Sequence, residues 1–316
     1  MKESTLISTS VKRKEGNTDQ VEQWVANARM LNALYNSFVM GDVEHLTRFL
    51  APDYIQHVPG TGGNAGEYWG VEGMKQFMSN IARHNGGLFQ MEVPVFSISN
   101  EHAFTREVIR INRAQDPERE WILRICNWFK IRDGKVTESW VIPENLSYYD
   151  QYWTVDEKAI AAKSAGVRPP IHCQNLLDID SAYSADNLHL IEHMYQEFWN
   201  GHMDAMGTLI SKNVLVNIVG NSAISGFYRG WEGYLEFRNR LTAVGGNKYK
   251  LEVVGAAASS KDIWAVERIR MNRKWDPAVR EIFVLMHFEV ENGIITKMDD
   301  FPLDTYQWED FYLRSA

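Results

Sequence analysis

Cysteine is scarce in this chain: 316 residues contain only Cys126 and Cys173. One falls in a strand-like run and the other in a predicted linker, so neither a disulfide framework nor a zinc site follows. No apolar run approaches the roughly 20 residues that a membrane-spanning helix requires. The first 20 residues lack the apolar core and small-residue cleavage site of a signal peptide, and residues 1–20 read as a disordered lead. Basic charge is not in excess. The formal charge is −8 and Lys and Arg are scattered, so no basic stripe calls for nucleic acid. These absences point to a cytoplasmic protein with neither nucleic acid nor membrane as a partner.

What is present is a repeat. Arg110-Ile-Asn-Arg113 followed by Asp116-Pro117 recurs as Arg270-Met-Asn-Arg273 followed by Asp276-Pro277, 160 residues later. The same offset pairs Phe38 with Phe198, Gly41 with Gly201, Gly60 with Gly220, Phe77 with Phe237 and Glu107 with Glu267. After one deletion near Glu118 the offset is 159, matching Phe129, Gly134 and Pro143 to Phe288, Gly293 and Pro302. Two copies at so long a period describe a duplicated domain rather than a solenoid. The composition, 45% hydrophobic and 23% charged, suits two globular units of ordinary size. The expected organisation is a domain over 21–150, a linker over 151–185 and a second domain over 186–316.

Each copy reads alike. Leu31, Leu34, Tyr35 and Phe38 recur at helical spacing before Gly41, and Leu190, Ile191, Met194 and Phe198 do so before Gly201. A second helix follows, then a short strand (54–58; 214–219), a Gly-rich loop and a third helix from near Val71 or Trp231. Three strands come next, at 90–99, 102–113 and 120–131, and at 249–258, 262–273 and 280–290. Asp133-Gly134 and Asn292-Gly293 are hairpin turns, each leading to a last strand. The predicted class is α+β: two tandem cone-shaped domains, each a curved, mostly antiparallel sheet wrapped around three helices. A short helix is expected at 155–162 in the linker.

Phe49-Leu-Ala-Pro-Asp-Tyr54, Gly70-Val-Glu-Gly73 and the closing run from Phe129 to Trp140 resemble the SnoaL-like polyketide cyclase and ketosteroid isomerase branch of the nuclear transport factor 2-like superfamily. That fold hosts enzymes, binding modules and transport adaptors. The resemblance implies an apolar cone cavity, and domains that pair through the convex faces of their sheets. A duplication would make that pairing intramolecular, with further homo-oligomerisation open.

In the first copy the resemblance points to His57 and Glu144 as acid and base and to Asn127 as a polariser of a developing enolate. Arg110, Trp69 and Phe129 are candidate substrate contacts. Each has a plainer reading: a strand-end histidine bonded to backbone, a surface carboxylate, a buried amide bonded to its neighbour. Val58 stands where the ketosteroid isomerases carry their base, which disfavours that mechanism.

The second copy resembles limonene epoxide hydrolase at Val266-Glu-Arg268-Ile-Arg270 and Lys297-Met-Asp-Asp300-Phe301. Asn217 falls at that family's water-holding position, Arg268 at its arginine and Asp300 at one carboxylate. Arg270 occupies the other carboxylate position, so the set is incomplete, and an Arg268–Asp300 ion pair is the expected role. Trp121, Trp128, Trp231 and Trp264 read as core and pocket walls favouring an apolar, even polycyclic, ligand. His189 and His193 lie one helical turn apart without a third ligand and read as a half-exposed helix face. No metal and no cofactor are expected. The Gly-rich stretch 59–66 lacks the lysine of a phosphate cradle and reads as a mobile lip over the first pocket. Two functions remain: a cofactor-independent acid/base enzyme (cyclase, isomerase, dehydratase or hydratase) acting on a small apolar molecule, or a non-catalytic binding or scaffold module.

Overall fold

The computed structural model describes residues 18–154, 172–174, 178 and 181–313. The helix expected at 155–162 and most of the lead at 1–20 lie outside these residues.

In the first half, α1 (Thr18–Met40) and α2 (Val43–Thr47) precede β1 (Leu50–Val58) and β2 (Gly66–Trp69). Helix α3 (Gly70–His84) is followed by β3 (Asn85–Ile98), β4 (His102–Arg113), β5 (Asp116–Arg132), β6 (Lys135–Pro143) and α4 (Leu146–Trp153). A short strand β7 (His172–Gln174) leads to the second half. There α5 (Ala185–Asn200), α6 (Met203–Thr208), β8 (Ile210–Ile218), β9 (Gly226–Arg229), α7 (Gly230–Val244), β10 (Gly245–Ala258), β11 (Asp262–Arg273), β12 (Asp276–Glu291), β13 (Ile294–Pro302) and α8 (Thr305–Leu313) repeat the order.

Local chemistry sets the boundaries. Gly41 and Gly201 end their helices at φ +68° and +75°, a conformation without steric penalty only for glycine. Asp42 accepts from the His45 backbone N–H at 2.9 Å to start α2, and Ser184 does the same for Asn187 at 3.2 Å to start α5. At the two hairpins, Asp133-Gly134 and Asn292-Gly293 all take positive φ, the geometry that matches strand twist in a two-residue turn.

The sheets run β2-β1-β6-β5-β4-β3-β7 and β9-β8-β13-β12-β11-β10. They share one order, antiparallel except where β1 meets β6, β8 meets β13 and β3 meets β7. Glu107 pairs with Ile125 and Glu267 with Val284, so the register repeats as well. Two helices were not foreseen. In α4, Tyr149, Tyr152 and Trp153 are buried in the first core; in α8, Trp308, Phe311 and Tyr312 are buried in the second. Each closes its own cone.

The two sheets meet through their outer faces. Phe104, Cys126, Trp128 and Ile142 from the first half interleave with Ala257, Trp264, Val266, Leu285 and Phe301 from the second, all fully or almost fully buried. Phe104 stacks on Trp264 with ring centroids 6.0 Å apart. Gly255 lets the backbone approach closely here, since a Cβ at that position would lie 3.1 Å from the His102 ring. No helix among the described residues is long and apolar enough to cross a membrane.

Candidate active site

Strand alternation sorts the polar residues of each half onto two faces. In β4, Thr105, Glu107, Ile109 and Ile111 point into the cone, while Phe104 and Arg106 face the other half. In β5, Leu123, Ile125, Asn127 and Phe129 point inward. Gln56 and Tyr54 line the cone from β1, which turns the adjacent His57 position outward.

The first cavity has a volume of about 110 Å³ and is walled by aliphatic and aromatic side chains. Among the described residues one carboxyl reaches it. Glu107 accepts hydrogen bonds from the Tyr35 hydroxyl, from Asn127 Nδ2 at 2.7 Å and from Thr105 Oγ1 at 3.4 Å. Burial pushes its pKa up to about 7, against the opposing pull of those three donors. On another wall Tyr54 donates to Gln56 at 2.9 Å and shares a 2.6 Å bond with Ser139.

The second cavity is larger, about 270 Å³, and holds two carboxyls. Glu267, the equivalent of Glu107, accepts from the Tyr195 hydroxyl at 2.6 Å, and burial raises its pKa to about 7. Asp300 is 4% exposed, and its Oδ1 has no hydrogen-bond partner among the described residues. Burial first, then the charges of Glu267 and Asp299, hold it well above the ordinary carboxyl value. Two acids that resist ionisation side by side are the arrangement from which proton donors and acceptors are made. At the rim stand Arg238, half-buried on α7, and the exposed Thr242 and Tyr249.

Of the residues singled out from sequence, three line a cone cavity: Asn127 and Phe129 in the first and Asp300 in the second. The others lie outside both cones, Glu144 and Asn217 together lining a separate pocket of about 230 Å³. His57 sits on the outer face, 3.0 Å from Glu138 and 3.3 Å from Glu67, and stacks on Trp140 at 4.8 Å. Glu144 pairs with Arg106 at 2.6 Å, so His57 and Glu144 do not converge on the cone. Arg110 pairs with Glu120 at 2.6 Å in solvent, and Trp69 is 60% exposed. Asn217 donates to Asp299 at 3.1 Å on the outer face. The expected Arg268–Asp300 pair does not form, because the two side chains lie on opposite faces of the sheet. Arg268 binds Glu252 and Arg270 binds Glu281 instead. His189 and His193 are more than half exposed and pair with Glu192 and Glu197. The Gly-rich loop is tied down rather than free: Asp150 accepts from Thr61 N–H, Thr61 Oγ1 and Gly62 N–H at 2.9–3.0 Å.

The residues that sequence reasoning passed over are Tyr35, Glu107, Tyr195, Glu267 and Arg238. A signal existed for four of them. Tyr35 and Tyr195, like Glu107 and Glu267, keep the repeat offset, and each glutamate interrupts the apolar face of its strand.

Outside the cavities, His287, Glu289 and Asp299 bring ligand atoms within 4.8 Å of one another. The Lys297 ammonium already stands 2.8 Å from Glu289 and 3.0 Å from Asp299, occupying the place a cation would take. His287 completes the cluster, 2.9 Å from Asp262 and 3.3 Å from Asp299. The equivalent positions in the first half of His287 and Asp299 are Trp128 and Trp140, stacked at 3.9 Å. The cluster is an ion-pair network on the outer face.

A family model described as a SnoaL-like domain matches residues 31–139. The match covers about a third of the chain, and residues 31–139 are similar to a SnoaL-like domain. The matched region contains Tyr35, Glu107 and Asn127 of the first cavity. Among solved structures, Bal32a from a soil-derived mobile gene cassette is 20% identical, with 40% of this chain and 96% of that chain covered and a TM-score of 0.37. A nuclear transport factor 2-like protein from Burkholderia pseudomallei is 13% identical, with coverage of 42% and 100% and a TM-score of 0.38. An LEH-like epoxide hydrolase from M. tuberculosis is 16% identical, with coverage of 42% and 92% and a TM-score of 0.32. No curated protein matches the chain.

Proposed function

We propose that the chain is a cofactor-independent acid/base enzyme (isomerase, cyclase, dehydratase or hydratase) for a small apolar molecule, with its reactive site in the second half. The observation that carries this reading is the presence of Glu267 and Asp300 in one apolar cavity of about 270 Å³, both biased toward the neutral acid by burial. Near neutral pH such a pair holds one proton more readily than none. One carboxylate can then take a proton from the substrate while the other carboxylic acid delivers one. Tyr195 fixes the orientation of Glu267. This reading moves the chemistry away from His57, Glu144 and Asn127.

The alternative, a non-catalytic binding or scaffold role, suits the first half. Its one cavity carboxyl already accepts from three donors, and the space beside it is about 110 Å³. A duplicated domain paired within one chain is the reading supported by the shared offset, strand order and register, and the cytoplasm is the compartment that the composition favours.

The test is mass spectrometry of small molecules released from the purified protein, followed by incubation of the carried molecule in D2O. Wild type should place deuterium in it or convert it, and Glu267→Gln and Asp300→Asn should each slow this by 100-fold or more, the order expected for losing a general acid or base. A carried molecule that wild type leaves unchanged, or variants that match wild type, would overturn the proposal.

A further inference from the structure

Arg238 is the one cationic side chain among the described lining residues of the second cavity. Among the described residues it makes no ion pair. Its guanidinium lies over the Phe198 ring at 4.4 Å, and its Nη1 approaches the Met203 sulfur at 2.8 Å. A thioether is a weak acceptor, and Tyr234, which also bonds the guanidinium, is a neutral phenol, so the positive charge has no anionic partner among the described residues. Arg106 and Arg268 have carboxylate partners, whereas Arg238 is among the described arginines that have none.

The position is also distinctive within the repeat. At the same offset the first half has Met78, 2% exposed and part of the apolar core. The second half therefore puts a fixed cation where its counterpart has a core methionine, and does so at the rim of the larger cavity. The charge is not there to neutralise the acids inside. Glu267 is bonded to Tyr195, and Asp300 Oδ1 is unpartnered.

We infer that the second cavity takes an apolar molecule bearing a carboxylate, with Arg238 holding the carboxylate at the rim and the apolar body lying beside Glu267 and Asp300. Guanidinium matches carboxylate geometry with two parallel N–H bonds, which gives orientation as well as attraction. The neutral bias of the two buried acids is consistent with this occupant, because an anion enters a cavity of uncharged acids without like-charge repulsion. The inference deepens the proposed function and rests on the second cavity being its ligand site.

The test compares 3-phenylpropanoate with the isosteric neutral 3-phenylpropanamide by titration calorimetry on the full chain. Wild type should bind the acid at least tenfold more tightly than the amide, and added salt should narrow the gap. Arg238→Met, which installs the residue of the first half, and Arg238→Gln should both erase the preference while leaving amide affinity within about twofold. Glu267→Gln and Asp300→Asn should keep the preference even though proton transfer is lost, which separates failure of this inference from failure of the acid/base reading. Equal affinity for acid and amide in wild type, or a preference that survives in both Arg238 variants, would overturn it.

Discussion

Glu107 and Glu267 stand 160 residues apart and occupy the same point of their two cones, each bonded to the tyrosine of its own first helix. Each is almost fully buried, and burial raises each to about 7. The pairs diverge only in company. Glu107 is surrounded by neutral donors, whereas Glu267 shares its cavity with a second acid.

The pH dependence of stability follows from these two groups. Unfolded, a glutamate releases its proton near its ordinary 4.5; folded, Glu107 and Glu267 hold theirs until about 7. The folded state binds more protons across that window, so stability is fullest below about 4.5, falls as pH rises through it and levels off above about 7. Each group contributes a loss of about 3 kcal/mol. Glu107→Gln and Glu267→Gln, which imitate the neutral acid, should match wild type at pH 5 and melt higher than wild type at pH 8. Differential scanning fluorimetry at the two pH values measures it. A gap that does not widen with pH would show the groups are not held neutral.

Arg106 joins the halves: its Nε meets Glu144 at 2.6 Å and its Nη1 lies 3.6 Å from the buried Asp299 across the interface. Removing one partner of a buried ion pair leaves the others uncompensated. Arg106→Met should lower unfolding stability by about 3 kcal/mol, whereas Arg110→Met, at an exposed pair, should change it by less than about 1 kcal/mol. Chemical denaturation of both variants makes the comparison.

His287 is the interface group whose charge should matter near neutrality. Burial alone would depress it, but bonds to Asp262 and Asp299 outweigh that and raise its pKa above 6.5. Lys297 and Arg106 are the cations facing the same aspartate, and Trp264 stacks on the ring. A raised histidine contributes stability that is complete below its unfolded value and lost as pH rises through its folded one. His287→Phe, which keeps the stack on Trp264, should therefore destabilise by about 3 kcal/mol at pH 5 and by clearly less at pH 9. Equal losses at both would mean that packing, not charge, is the contribution.

Gly60 has φ +101°, and a Cβ there would fall 2.2 Å from Asp150 Oδ1. That carboxylate ties the Gly-rich loop to α4 and accepts from Tyr306 of the second half at 2.9 Å. Gly60→Ala should cost about 2 kcal/mol and should expose the 59–66 loop to limited proteolysis, whereas Gly134→Ala, whose Cβ meets nothing, should leave that loop protected.

Much of the fold was legible because its signals are local. β4 and β11 fall at the predicted 102–113 and 262–273, since alternation and the bounding turns are written in consecutive residues. The site was less so. His57 and Glu144 carry the right chemistry but the wrong parity: one residue along a strand separates the cavity face from the interface face, as Gln56 and His57 illustrate. The closing helices α4 and α8 were missed because they are only eight and nine residues long, too short for the i, i+3, i+4 spacing of their buried aromatics to stand out, and they fold by burying Trp153 and Trp308 against a core made elsewhere.

The linear chain alone determined that one pattern of helices and strands occurs twice, because turn chemistry, capping and apolar period act between near neighbours. Only the assembled structure decided which polar groups share a cavity. Whether Arg268 meets Asp300 or Glu252, and whether Glu267 stands beside Asp300, depends on sheet curvature and on which face is covered by the other half. Those are contacts between residues far apart in sequence, so no local pattern encodes them.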